Sequence, residues 1–247
     1  MTMHVRESGP PDAAPVLLLH GGGVGGWMWD RVVDRLQGDH RLLVPDLPGH
    51  DRSAAEDYVS HDRTVEELLQ LLRDRAHGPV AVAGFSLGAQ LAVLLAARAP
   101  ELVDRVVVLS AQAIPTPAPG LTLALLGATA GLAKLQWFAR LQAAELFVPA
   151  ESFDDYLRTS RGISRRTLLA AVGENIRFTV PDGWSAYPGA ALVMAGGRER
   201  GVMRASAERL AAAAGRGALE IVPDAGHGLP LQDPELVADR LRARPSA

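Results

Sequence analysis

The chain has 247 residues, enough for one large α/β core, and its 48% hydrophobic and 21% charged residues are typical of a folded globular protein, not a disordered one. A formal net charge of −3 leaves no basic footprint for nucleic acid, and the absence of cysteine excludes thiol nucleophiles, disulfides and thiolate metal sites. The first seven residues lack the apolar stretch of a secretory signal, and the longest apolar run, residues 121–133, is shorter than the roughly 20 residues that cross a bilayer, so a soluble cytoplasmic protein without a membrane partner is expected.

In chain order, residues 2–7 suit an antiparallel edge strand and residues 16–19 a buried strand. The glycine-rich loop from His20 to Gly26 follows, then a helix over 29–36 and a strand over 41–44 that runs into Pro45-Asp46-Leu47-Pro48-Gly49-His50. A helix over 64–74, a strand over 80–83, a helix over 87–99 stopped by Pro100 and a strand over 106–109 continue the rhythm. It resumes with a strand over 191–195, a helix over 203–214 and a strand over 218–222. A final helix opens at Asp233, which can cap, and Pro234, which fits the first helical position. Apolar runs alternating with helices predict an α/β fold with a mostly parallel sheet covered on both faces.

Between residues 114 and 188 the strands stop, and a helical insertion opening with Pro115, Pro117 and Pro119 is expected over the carboxyl edge of the sheet. This divides the chain into a core of 1–113 and 189–247 and a helical cap, or lid, of 114–188. The insertion carries Trp137, Phe138, Phe147, Phe153, Phe178 and Trp184, which are candidates either for lining a substrate cavity or for gluing the cap to the core.

Ser86 carries the sharpest chemical signal. In Gly84-Phe85-Ser86-Leu87-Gly88 a strand turns straight into a helix, and glycines two residues to either side permit a turn that larger residues would block. The serine is expected in a strained backbone conformation with its hydroxyl exposed, and the Leu87 N–H at the helix start can receive negative charge. A serine hydroxyl needs a base. In elbow-type serine enzymes the order is serine, acid, histidine, which leaves His227, in Pro223-Asp224-Ala225-Gly226-His227-Gly228, as the only histidine after Ser86. The acid is expected after the strand at 191–195, where Glu199 is the only carboxylate in Gly196-Gly197-Arg198-Glu199-Arg200; Asp224 is the alternative.

One rival fingerprint exists. Gly21, Gly23 and Gly26 satisfy the dinucleotide pattern, with Asp46 where a ribose-binding carboxylate would sit. Against it, a loop with five glycines satisfies that pattern almost freely. Of the other histidines, His20 is expected to brace the loop and His50 to lie near the pocket rim, while His4, His40, His61 and His77 read as surface or loop residues. No histidine pair has metal-site spacing, so neither metal nor cofactor is expected.

Together His20-Gly21-Gly22-Gly23 with Trp29, Asp46-Leu47-Pro48-Gly49-His50, the Ser86 pentapeptide, Gly196 to Glu199 and Gly226-His227 resemble the α/β-hydrolase superfamily over essentially the whole chain. The resemblance implies a Ser86 nucleophile, His227 as base and then acid, Glu199 as orienting acid, and oxyanion N–H groups from Gly22 and Leu87. It implies hydrolysis of a carboxylic ester, thioester or lactone of a small, partly apolar molecule through an acyl-enzyme. Cofactor-free lyase, oxygenase or cyclase chemistry with His227 as base, or a non-catalytic ligand-binding role, are the alternatives on the same fold. Three departures stand out: Asp51 and Ala89 where members often have glycine, and glutamate where aspartate is commoner at position 199.

Overall fold

The computed structural model describes residues 3–76, 78–131 and 135–243. His77 and Thr2 lie outside the described residues. Seven strands form one sheet: β1 (Val5–Ser8), β2 (Ala14–Leu19), β3 (His40–Pro45), β4 (Val80–Phe85), β5 (Val103–Leu109), β6 (Ala190–Gly196) and β7 (Gly217–Val222), in spatial order β1-β3-β2-β4-β5-β6-β7. Only β1 runs antiparallel, pairing Val5 with Pro45 at the edge; every other pairing is parallel.

Alternate residues of the central strands serve two cores, as a sheet covered on both faces requires. On one face Leu17, Leu19, Val82, Val106 and Val108 pack under α2 (His61–Arg75), α3 (Leu87–Arg98) and α8 (Gly201–Ala213). On the other, Val16, Leu18, Ala81, Ala83 and Val107 pack in one cluster with α1 (Asp30–Leu36), the short α9 (Leu229–Gln232) and α10 (Pro234–Arg242). The Asp233 side chain accepts from the Leu236 N–H at 3.0 Å, capping α10 with Pro234 in its first turn. The helix expected from residue 64 begins a turn earlier, because the Ser60 hydroxyl accepts from the Arg63 N–H at 3.1 Å.

Between β5 and β6 lie α4 (Pro119–Thr129), α5 (Gln136–Glu145), α6 (Phe153–Gly162) and α7 (Arg165–Asn175). Of the six aromatics expected as cavity candidates, Trp184 is fully buried in the core, where its indole N–H donates to the Leu210 carbonyl at 2.9 Å and its ring stacks on Tyr187. Phe178 is likewise buried, against His61. Among the described helices none is long and apolar enough to cross a membrane.

Because six of the seven strands are parallel to one another, their carboxyl ends share one edge of the sheet. The glycine loop leaves β2 there, Ser86 follows β4, Ser110 follows β5, Glu199 follows β6 and His227 follows β7. Five of these strands (β2, β4, β5, β6 and β7) are consecutive neighbours, so residues more than 140 positions apart in sequence meet at one edge.

Candidate active site

Ser86 sits at φ 51°, ψ −110°, a conformation that a non-glycine residue adopts only under constraint. The constraint is visible on both sides of it. A Cβ on Gly84 would overlap the Gly88 carbonyl, and a Cβ on Gly88 would overlap the Leu19 and His20 carbonyls, so both flanking positions must be glycine. The Ser86 N–H donates to the Leu109 carbonyl at 2.8 Å, locking the turn to β5. The half-buried serine opens on a cavity of about 640 Å³ whose lining includes Gly22, His50, Leu87, Tyr156 and Asn175. Tyr156 is thus an aromatic wall residue that the sequence reading did not select, whereas none of the six aromatics it did select is among the described lining.

Glu199 is 6% exposed, and its two oxygens divide their work. Oε2 lies 2.8 Å from His227 Nδ1, while Oε1 accepts from the Gly196 N–H at 2.8 Å and from the Ser110 hydroxyl at 2.7 Å. Burial pushes the carboxyl up, but the hydrogen bond and charge of His227, with the Gly196 and Ser110 donors, outweigh it and hold Glu199 below the usual carboxylate range. The ionised acid therefore favours a proton on Nδ1 of His227, which leaves Nε2 as the basic nitrogen. Asp224 is placed differently: it pairs with Arg198 at 2.9 Å, and both side chains are largely exposed.

The loops holding this pair approach through glycines, since a Cβ on Gly196 would overlap the Ala225 carbonyl and one on Gly197 the Pro223 carbonyl. The imidazole of His227 packs against the ring of Phe85, the residue before Ser86, with centroids 5.1 Å apart. Among the described residues no hydrogen bond joins His227 to Ser86. In ligand-free enzymes such bonds are commonly long and tighten only when substrate is bound. Ser110 is absent from the sequence reading, yet a signal for it exists: it is the first polar residue after the apolar run of β5, which lies between the strands leading to Ser86 and Glu199.

His20 is fully buried and acts on the glycine loop. Its Nε2 accepts from the Leu47 N–H at 2.8 Å, so Nδ1 carries the proton and donates to the Gly21 carbonyl at 2.7 Å. A trans peptide sends its N–H opposite to its C=O. Fixing the Gly21 oxygen therefore turns the Gly22 N–H away from His20, and Gly22 lines the cavity. Neither the Gly22 nor the Leu87 N–H has a protein acceptor among the described hydrogen bonds. Burial lowers His20 to about 4, and burial together with the neighbouring His20 lowers His50 to about 3, so both rings are neutral at physiological pH.

Contacts also describe the other residues singled out in the sequence. Asp46 Oδ1 accepts from the Gly26 N–H at 2.7 Å, which occupies the third glycine of the dinucleotide pattern with an internal bond. Asp51 has φ 40°, explaining why glycine suits this turn, and its carboxylate receives Arg158 of α6 at 3.1 and 3.2 Å. His61, expected at the surface or in a loop, is buried at the start of α2: Tyr58 Oη lies 2.6 Å from its Nδ1, and its Nε2 lies 2.9 Å from Gln90 Oε1. His4 and His40 are half-buried, with His4 Nδ1 3.3 Å from Asp46.

The model of the alpha/beta hydrolase family matches residues 16–240. The chain belongs to that family. Among curated relatives of this chain, a pimeloyl-[acyl-carrier protein] methyl ester esterase of Nitrosomonas europaea is 33% identical over 111 residues, covering 44% of this chain and 41% of the relative. Lipase LipV of Mycobacterium tuberculosis is 37% identical over 107 residues, covering 43% and 41%. The match thus spans about two fifths of the length of these relatives. In three dimensions the chain resembles an enol-lactonase from Burkholderia xenovorans with a TM-score of 0.81 at 20% identity, covering 97% of this chain and 95% of that one.

Proposed function

We propose that this chain is a serine hydrolase that cleaves a carboxylic ester, thioester or lactone of a small, partly apolar molecule by a Ser86-His227-Glu199 triad. The observation that carries the reading is the Glu199–His227 bond at 2.8 Å, made by a ring seated on the residue next to a strained serine. The curated relatives named esterase and lipase support the same reaction class.

In this reading His227 Nε2 takes the Ser86 proton as Oγ adds to the substrate carbonyl carbon. The oxygen of the tetrahedral intermediate, now negative, is received by the Gly22 and Leu87 N–H groups, each contributing about 3 kcal/mol to the transition state. Imidazolium then protonates the leaving oxygen or sulfur as its bond to carbon breaks, giving an acyl-enzyme. Water repeats the sequence and releases the acid. Helices α4–α7 form the cap in this account, shielding the cavity and supplying its apolar wall.

The test is hydrolysis of short p-nitrophenyl esters. The wild type is expected to turn them over, and Ser86→Ala is expected to lose several orders of magnitude in kcat. Undiminished turnover by the alanine variant would refute the assignment.

A further inference from the structure

Helix α7 presents one stripe to the cavity: Arg165, Leu168, Ala171, Val172 and Asn175 all line it, at the spacing of a single helical face. The two ends of the stripe differ in chemistry and in distance from the elbow. Asn175 is fastened to α3. Gln90, four residues after Ser86, donates from Nε2 to the Gln112 carbonyl at 2.7 Å and to the Asn175 carbonyl at 3.1 Å, and its Oε1 accepts from Asn175 Nδ2 at 3.2 Å. This end therefore lies at the elbow side. Ten residues of helix place Arg165 roughly 15 Å further along the axis, with Leu168, Ala171 and Val172 between.

Arg165 has no carboxylate within ion-pair distance among the described residues. Its Nε donates to the Gly127 carbonyl of α4 at 3.2 Å, which tethers the guanidinium across the gap between two helices. A tethered guanidinium with unclaimed N–H groups at the end of an apolar wall fits a carboxylate. Among the described residues Glu145, at the end of α5, is the other charged lining group, and no ion pair joins it to Arg165.

We infer that the substrate is an ester or thioester whose apolar chain ends in a carboxylate, with the reacting carbonyl at Ser86, the chain along α7 and the distal anion on Arg165. This rests on the hydrolase reading above and assigns its substrate class. Binding and turnover test the two separately.

Affinities of the Ser86→Ala protein are measured by calorimetry for half-esters of straight-chain dicarboxylic acids and for neutral esters of equal length ending in methyl. The inference expects the carboxylate-ended ligand to bind at least tenfold more tightly when its chain spans the stripe. Adding Arg165→Gln should abolish that preference, and Arg166→Gln, whose side chain instead faces Asp57 at 3.7 Å, should keep it. Equal affinity for the two ligand series, or a preference that survives Arg165→Gln, would overturn the inference whether or not esters are hydrolysed. Turnover of neutral short esters by the wild type, read in parallel, tests the hydrolase reading alone.

Discussion

Replacing Glu199 by glutamine changes one oxygen to an amide nitrogen and little else in shape, which makes it an informative perturbation of the site. The carboxylate accepts three hydrogen bonds, two on Oε1 from Ser110 and the Gly196 N–H and one on Oε2 from His227. A backbone N–H cannot turn away, so the amide oxygen must stay on the Gly196 side and the NH₂ must face His227. Donation from that NH₂ to Nδ1 forces the histidine proton onto Nε2, the atom that has to accept the serine proton. A wrong-tautomer histidine in a serine triad costs about 10⁴ in kcat, or about 5.5 kcal/mol at the transition state. The assay is steady-state hydrolysis of a p-nitrophenyl ester, with ¹⁵N NMR of the His227 ring to read the tautomer. A variant that folds normally, shows the Nε2–H tautomer and loses less than tenfold in kcat would refute the reasoning.

Two glycine substitutions should separate packing from catalysis. Gly84→Ala drives a methyl into the Gly88 carbonyl and is expected to cost more than about 3 kcal/mol of stability in urea unfolding, whereas Gly22→Ala meets only Leu87 Cδ2 at 3.9 Å and should unfold like the wild type. Acid should act through both buried rings, His20 and His50, of which His20 is the one substituted here. A folded value of about 4 lies below the unfolded value of about 6.5, so stability from this group is complete above pH 6.5 and is lost as pH falls towards 4, by about 3 kcal/mol. His20→Asn should make the unfolding midpoint fall less steeply over that range, leaving the part that comes from His50; an unchanged acid slope would argue against a buried neutral His20 ring. Glu199 adds a lower limb. Its depressed value gives stability that is present above the ordinary carboxyl value near 4.5 and lost as pH drops through the folded one, and the wild type should therefore lose stability more steeply than Glu199→Gln below about pH 4.5.

The strands and their parallel order were legible because a sheet buried on both faces writes unbroken apolar runs, and the elbow was legible because its glycines are sterically compulsory. One expected departure also carried information: the positive φ of Asp51 gives a conformational reason why glycine would suit that turn. What could not be read depends on partners from distant segments. His61 looks like a loop residue until Tyr58, Gln90 and Phe178 close around it, and Trp184 looks like a cap residue until it stacks on Tyr187 beneath α8. Ser110 escaped notice because its one signal, being the first polar residue after the apolar run of β5, gains meaning only once β5 is placed between β4 and β6. The cavity stripe of α7 was hidden for the same reason, since which face of an insertion helix meets the core is decided by tertiary packing.

The central claim is that the Ser86 oxygen is the nucleophile. Mass spectrometry of the protein after reaction with a fluorophosphonate, with the modified peptide mapped, tests it most directly. The account expects a single phosphonyl adduct on Ser86 that is absent from Ser86→Ala; an adduct on another residue, or equal labelling of the variant, would contradict it.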